Sequence, residues 1–220
     1  MRTMVIVTAI SLLSAAPLLA QTERGYVTGI GGFAASTDTT SGNVVGEVGV
    51  RVAPHLMVFG DLGQFHNLQP SDEQPAVDST TATLAGTIGL GVVGTAHVPA
   101  WYSLGGLRYE VPVQGRVLPY VLGGIGFARL TPNGTFTYAS GTLPDGATAA
   151  VGTDVTSELV TAGYFTKPPA ANAFMYTVGA GVEIPVAAHW AVDAGYRFSR
   201  VSADTPLNAQ GLTFGFGYRF

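Results

Sequence analysis

The last ten residues alternate without a slip: Leu212, Phe214, Phe216, Tyr218 and Phe220 are apolar and aromatic, and Thr213, Gly215, Gly217 and Arg219 stand between them. A period of two sends these sets to opposite sides of a strand. One face is wholly apolar, while the other carries glycine and a charge instead of a second core. That combination suits a strand with lipid outside and a narrow polar lumen inside.

Seven more segments have this character: 25–35, 43–52, 56–66, 100–111, 118–130, 174–184 and 189–200, with 211–220 as the eighth. Each has about the 9 to 11 residues with which a tilted strand crosses a bilayer. The connections at 53–55, 112–117 and 185–188 are tight. Those at 67–99 and 131–173 are long, and those at 36–42 and 201–210 intermediate. Short and long connections therefore alternate, as periplasmic turns and outward loops do in a bacterial outer-membrane barrel. The expected fold is all-β, an eight-stranded antiparallel up-and-down transmembrane barrel with long extracellular loops. Closure removes sheet edges that lipid cannot hydrogen-bond. The segment 81–95 alternates enough to pass for a ninth strand, but nine would break the parity. It is read as a short helix or packed hairpin inside the second outward loop. A helical start is also expected at 154–164, with Thr153 or Asp154 as N-cap.

With the apolar set facing out, the other set faces in. The candidate lumen network is Glu47, Arg51, Asp61, Arg108, Glu110, Arg129, Glu183, Asp193, Arg197 and Arg219. Eight strands enclose a space that side chains alone can fill, and an unpaired charge there is costly. Pairing of arginine forks with carboxylates across a plugged lumen follows, with glycines making room. Arg219 is expected beside Glu47 or Glu183. Two aromatic girdles are expected: Tyr26, Tyr109, Tyr120, Trp190 and Phe220 at the periplasmic end, and Phe33, Phe65, Trp101, Tyr102, Phe174 and Phe198 at the outer rim. A soluble β-sandwich is the competing fold.

Composition agrees with a chain that is greasy overall but nowhere continuously so. Residues are 47% hydrophobic and 11% charged, with 30 glycines and no cysteine. Disulfides and thiolate metal sites are thereby excluded. Residues 1–20 read as a secretory signal, with Arg2 before the apolar run 4–13 and small residues to Ala20, leaving 21–220 as the barrel domain. A membrane anchor is the alternative, but the run is shorter than a span. Without Arg2, nine bases face 14 acids. Nucleic-acid binding is disfavoured, since no basic patch exists to meet phosphates.

Residues 119–127 (Pro-Tyr-Val-Leu-Gly-Gly-Ile-Gly-Phe), 192–198 (Val-Asp-Ala-Gly-Tyr-Arg-Phe) and the terminal Gly217-Tyr218-Arg219-Phe220 resemble the outer-membrane β-barrel family that includes the OmpA barrel domain and OmpX. The resemblance runs over nearly the whole chain after the signal. It implies a bacterial outer-membrane location, outer-membrane lipid and lipopolysaccharide as surroundings, and an assembly signal in Tyr218 and Phe220 read by the barrel-assembly machinery. Nothing resembles the periplasmic domain of OmpA, so peptidoglycan anchoring is not expected. The motifs are specific for architecture and poor for function, because the family varies its loops.

Chemistry is sparse. His66 and His97 bracket the second outward loop and, with Asp72, Glu73 or Asp78, form a candidate metal set, against which stands the reading of plain solvated loop residues. A serine with either histidine would suit lipid hydrolysis or acyl transfer, but no motif places one there. Gly29-Ile30-Gly31 and Gly179-Ala180-Gly181 open no helix and are no phosphate loops. No cofactor, catalytic residue or resident metal is assigned. The outward loops hold Asp38, Asp72, Glu73, Asp78, Asp145, Asp154, Glu158 and Asp204 against Lys167, an acidic crown that would repel lipopolysaccharide phosphates unless divalent cations bridge them, and would attract basic partners. The functional expectation is a monomeric structural or surface-interacting barrel. The alternatives are a small-solute or hydrophobic-ligand channel and, ranked third, a lipid-modifying enzyme that depends on His66 or His97.

Overall fold

The computed structural model describes residues 24–36, 40–68 and 73–220. The expected signal, Asp38 and Asp72 lie outside the described residues. Eight strands form the barrel: β1 (Gly25–Ala35), β2 (Thr40–Ala53), β3 (Leu56–Phe65), β5 (Ala100–Glu110), β6 (Leu118–Leu130), β8 (Ala171–Pro185), β9 (Trp190–Ser202) and β10 (Leu207–Arg219). They close in the order β1-β10-β9-β8-β6-β5-β3-β2 with every neighbouring pair antiparallel. These are the eight strands read from the alternation. The two ends of the chain's described part complete the ring, where Gly25 and Phe220 exchange backbone hydrogen bonds of 3.0 Å each way. In the tight β2–β3 turn His55 adopts a left-handed conformation, φ 63°.

Hydrogen-bonded partners followed once round the wall run Gly25, Val50, Val58, Leu107, Gly123, Val178, Phe198, Gln210 and back to Ala35. The return is ten residues higher on the same strand. That stagger corresponds to a strand tilt of roughly 40° and a lumen only wide enough for side chains. The apolar residues of the outer face stay exposed, among them Phe33, Leu62, Ile125, Phe127, Leu212 and Phe214. A sheet that displays such a face and buries its charges has lipid on the outside. No helix among the described residues is long and apolar enough to cross a membrane.

Four of the expected girdle aromatics are in fact inside. Tyr26, Phe65, Tyr102 and Tyr120 are buried in the lumen: Phe65 and Tyr102 share parity with the inward Asp61 and Arg108 of their own strands, and Tyr26 and Tyr120 are register partners of the inward Arg219 and Glu110. Three of these tyrosines pair in register with a glycine on the neighbouring strand: Tyr26 with Gly49, Tyr102 with Gly63, and Tyr120 with Gly181. A methyl group at any of those glycines would overlap the ring or its hydroxyl. Each ring thus lies over a neighbour with no side chain, the packing by which aromatics cover strand glycines. The outer face keeps Trp190, Phe216, Tyr218 and Tyr109 at the turn end, with the Trp190 and Phe216 rings stacked 4.9 Å apart. Trp101, Phe127, Phe174, Tyr176 and Phe198 stand toward the loop end.

The long loops fold into a second unit. α1 (Glu73–Ile88) precedes β4 (Gly91–His97), and β4 pairs antiparallel with β7 (Asn133–Ser140) from the third outward loop. The segment expected as a helix or hairpin at 81–95 is therefore the end of a longer helix and most of a strand whose partner lies in another loop. Val77 and Leu84, seven residues apart and so on one helical face, pack with Leu90, Val92, Phe136, Tyr138 and Leu159 into a core separate from that of the barrel. Gly94 permits the approach, since a Cβ there would overlap a Val77 methyl. The Gln74 amide donates to Gly94 O and accepts from Ala96 N, closing the free edge of β4 as a third strand would. In α2 (Thr156–Thr161) the N-cap position is Val155, without a side-chain cap bond. Asp154, expected as the cap, instead accepts from the backbone N–H and hydroxyl of Thr156.

Candidate functional site

Within the lumen the inward charges meet as one alternating chain. Arg197 donates to Asp61 at 2.7 Å and to Glu47. Glu47 also accepts from Arg108 at 3.4 Å and from Tyr26 Oη at 2.6 Å. Arg108 reaches across to Glu183 at 2.5 Å, Glu183 accepts from Arg219 Nε, and Arg219 donates onward to Glu110 at 2.9 Å. Arg51, half-buried at the turn-side mouth, completes the series by donating to Glu110 at 2.8 Å. Asp193 joins from the side, 3.7 Å from Arg108 and accepting from Tyr120 Oη at 2.9 Å. The groups come from β2, β3, β5, β8, β9 and β10, so the chain ties strands from all round the barrel. Arg219 therefore finds Glu183, one of its two expected partners, and Glu110 besides.

Arg108 is the hub and is 2% exposed. Its guanidinium carbon lies 3.7 Å from the Tyr120 ring centroid and 5.0 Å from that of Tyr26. The two rings offer their negative faces to a cation that water cannot reach. A delocalised, weakly hydrated guanidinium tolerates that enclosure better than an ammonium. Neither tyrosine was legible as part of this site, because no charge on its own strand marks the inward parity; each is instead the register partner of an inward charge on a neighbouring strand, Tyr26 of Arg219 and Tyr120 of Glu110.

Arg129 does not join. It is exposed, and it shares parity with the outward Val121, Ile125 and Phe127, whereas Leu122, Ala128 and Leu130 point inward. The physical reason is position along the strand. At the outer end of β6 the wall leaves the hydrocarbon, so a charge is tolerated outside, and the lumen there is apolar. Above the charges, Ile30, Val45, Phe65, Leu104, Leu122, Leu130, Met175 and Val201 form a greasy layer with Leu68 and Val98 packed over it. A cavity of about 10 Å³ remains beside Asn43, Phe65, Arg197 and Thr213, at the lower limit of what one water occupies.

Elsewhere the His66 and His97 rings lie edge to face, 5.1 Å between centroids, where the loop unit joins the barrel. No set of three histidines and carboxylates able to hold a metal forms among the described residues. Burial, and then the neighbouring His66, hold the His97 pKa below the usual imidazole value. On the loop unit a cleft of about 360 Å³ is lined by Pro144, Asp145, Ser157, Glu158, Thr161 and Ala162.

A closed antiparallel wall, apolar outside and crossed by ion pairs inside, defines a β-barrel of the outer-membrane type. The sequence matches the model of the outer membrane protein beta-barrel domain over residues 5–220, and the chain belongs to that family. Membership places it in the bacterial outer membrane. The fold is similar to that of Neisserial surface protein A (NspA), with a TM-score of 0.55 and 15% identity over 89% of this chain and 97% of that one. It is also similar to a major outer membrane protein from Thermus thermophilus, with a TM-score of 0.54 and 10% identity over 91% of this chain and 100% of that one. No curated protein matches the chain significantly.

Proposed function

We propose that this barrel is sealed and non-catalytic, a structural element of the envelope that offers its folded loop unit to surface partners. The observation that supports the reading is the unbroken series from Asp61 through Arg197, Glu47, Arg108, Glu183, Arg219 and Glu110 to Arg51. A conducting path would have to break several buried ion pairs at once, each leaving an uncompensated charge, and then pass the apolar layer above. Function on such a scaffold belongs to its loops. Here the loops carry their own core and an acidic cleft at Asp145 and Glu158, suited to a basic partner. Purified protein in planar bilayers tests the seal: no stable conductance steps are expected, and steps of porin size would overturn the reading in favour of a channel.

A further inference from the structure

Arg129 and Arg200 are the two arginines on the outward face of the barrel wall among the described residues; the other strand arginines point into the lumen. Neither has a hydrogen-bond or ion-pair partner among the described residues, and every described carboxylate on the barrel strands faces inward. Both stand near the loop end of their strands, Arg129 one residue before the end of β6 and Arg200 two before the end of β9.

Their relative height follows from the register. Arg129 pairs with Asn172 and Arg200 with Tyr176, four residues nearer the turn end of β8. The stagger of ten residues over eight strands restores about two and a half of those four across the two intervening steps. The two guanidiniums therefore stand within about 5 Å of one level and about 15 Å apart along the wall. Around and below them lie Trp101, the register partner of Arg129, and Phe174, Tyr176 and Phe198. Among the described residues, the opposite sector, at the loop ends of β10, β1 and β2, presents Gln210, Phe33 and Gly42 and no cation.

An outward arginine costs about 2–4 kcal/mol at mid-membrane and nearly nothing at the interface, so these two mark the headgroup level of the outer leaflet. A guanidinium there, with no carboxylate beside it, is matched by the fork geometry of a phosphate. From this geometry we infer that the β6–β8–β9 sector is a docking site for the phosphorylated sugar headgroup of an outer-leaflet glycolipid. Arg129 and Arg200 bracket two phosphates of one headgroup, and the aromatic shelf receives the start of its acyl chains. The acidic loops above keep phosphates off the crown, which confines such a lipid to the rim.

The test uses the full-length mature protein in detergent, with bisphosphorylated lipid A, chemically dephosphorylated lipid A and phosphatidylglycerol as probes. Trp101 fluorescence reports binding, read in a Trp190→Phe background. Bisphosphorylated lipid A is expected to bind at least tenfold more tightly than either other lipid. Added salt is expected to weaken it, and R129Q/R200Q to abolish the preference while R129K/R200K retains part of it. Equal binding of phosphorylated and dephosphorylated lipid, or a preference that survives in R129Q/R200Q, would overturn the site. Equal binding of phosphatidylglycerol would overturn the glycolipid assignment. Because both residues lie outside the lumen network, the variants are expected to keep the heat-modifiable gel shift of a closed barrel.

Discussion

Arg108 and Arg129 belong to adjacent strands and look alike in sequence, yet they occupy opposite physical situations. Removing the Arg108 side chain strands Glu47 and Glu183 and empties the space between the Tyr26 and Tyr120 rings. Breaking a buried pair from one side costs about 3–5 kcal/mol, so Arg108→Ala is expected to lower the urea midpoint of the micelle-bound barrel by that equivalent. Arg129→Ala in the same lipid-free micelles is expected to change it by no more than about 0.5 kcal/mol. An equal loss at both positions would sink the inward and outward assignments. Nine of the ten charges expected in the lumen lie there, and they could be read from sequence because an inward charge sits among glycines on a strand whose other face is plainly greasy. Arg129 could not, because glycines at 123, 124 and 126 thin out both faces of β6 and the apolar cue switches sides near the rim. The buried tyrosines were misread for a related reason: an aromatic near a strand end has the same composition signal whether it meets a headgroup or an arginine.

At the level of elements, the barrel strands were legible because a period of two and alternating loop lengths are properties of contiguous sequence. β4 and β7 escaped because each is short and its partner lies in a different loop. An even strand count governs only the closed wall, which has eight, and places no limit on a pair such as β4 and β7 outside it. α1 escaped in part because its buried positions are few, Val77 and Leu84, and no apolar stripe announces its start. The joint between these elements is Phe136, fully buried and packed edge to face on Phe165 at 5.0 Å. Phe136→Ala is expected to remove about 3–5 kcal/mol, enough to unfold a unit of this size. Amide exchange then reads the result by element: β4 and β7 lose protection while β1 through β3 keep theirs. Protection retained in β4 would show that the loop unit is held by something other than this core.

The whole molecule is two cores joined at a narrow seam, where Asn67 accepts from Val98 N, Leu68 N donates to Val98 O, and His66 faces His97. No buried residue belongs to both cores, so the barrel and its crown are expected to come apart separately. Acid should separate them first. The folded state holds His97 below the usual imidazole pKa, so its neutral form is the one that folding favours. The stability tied to it is complete above about pH 6.5 and drains as pH falls below that value, when the unfolded segment takes up protons more readily. The His66 ring, 5.1 Å away, works in the same direction by disfavouring a charge on His97. Asp154 leaves this window alone, since its bonds from the Thr156 hydroxyl and N–H push its pKa below the ordinary carboxylate range, and its contribution fails only at still lower pH. Protein in liposomes, treated briefly with an acid-tolerant protease, is therefore expected to show crown cleavage that is flat above about pH 6.5 and rises as pH falls below it, while the barrel core stays intact. In His66→Asn, which leaves His97 facing a neutral group, the rise should be smaller and shifted to lower pH. An unchanged profile in that variant would mean that the seam is not what gives way.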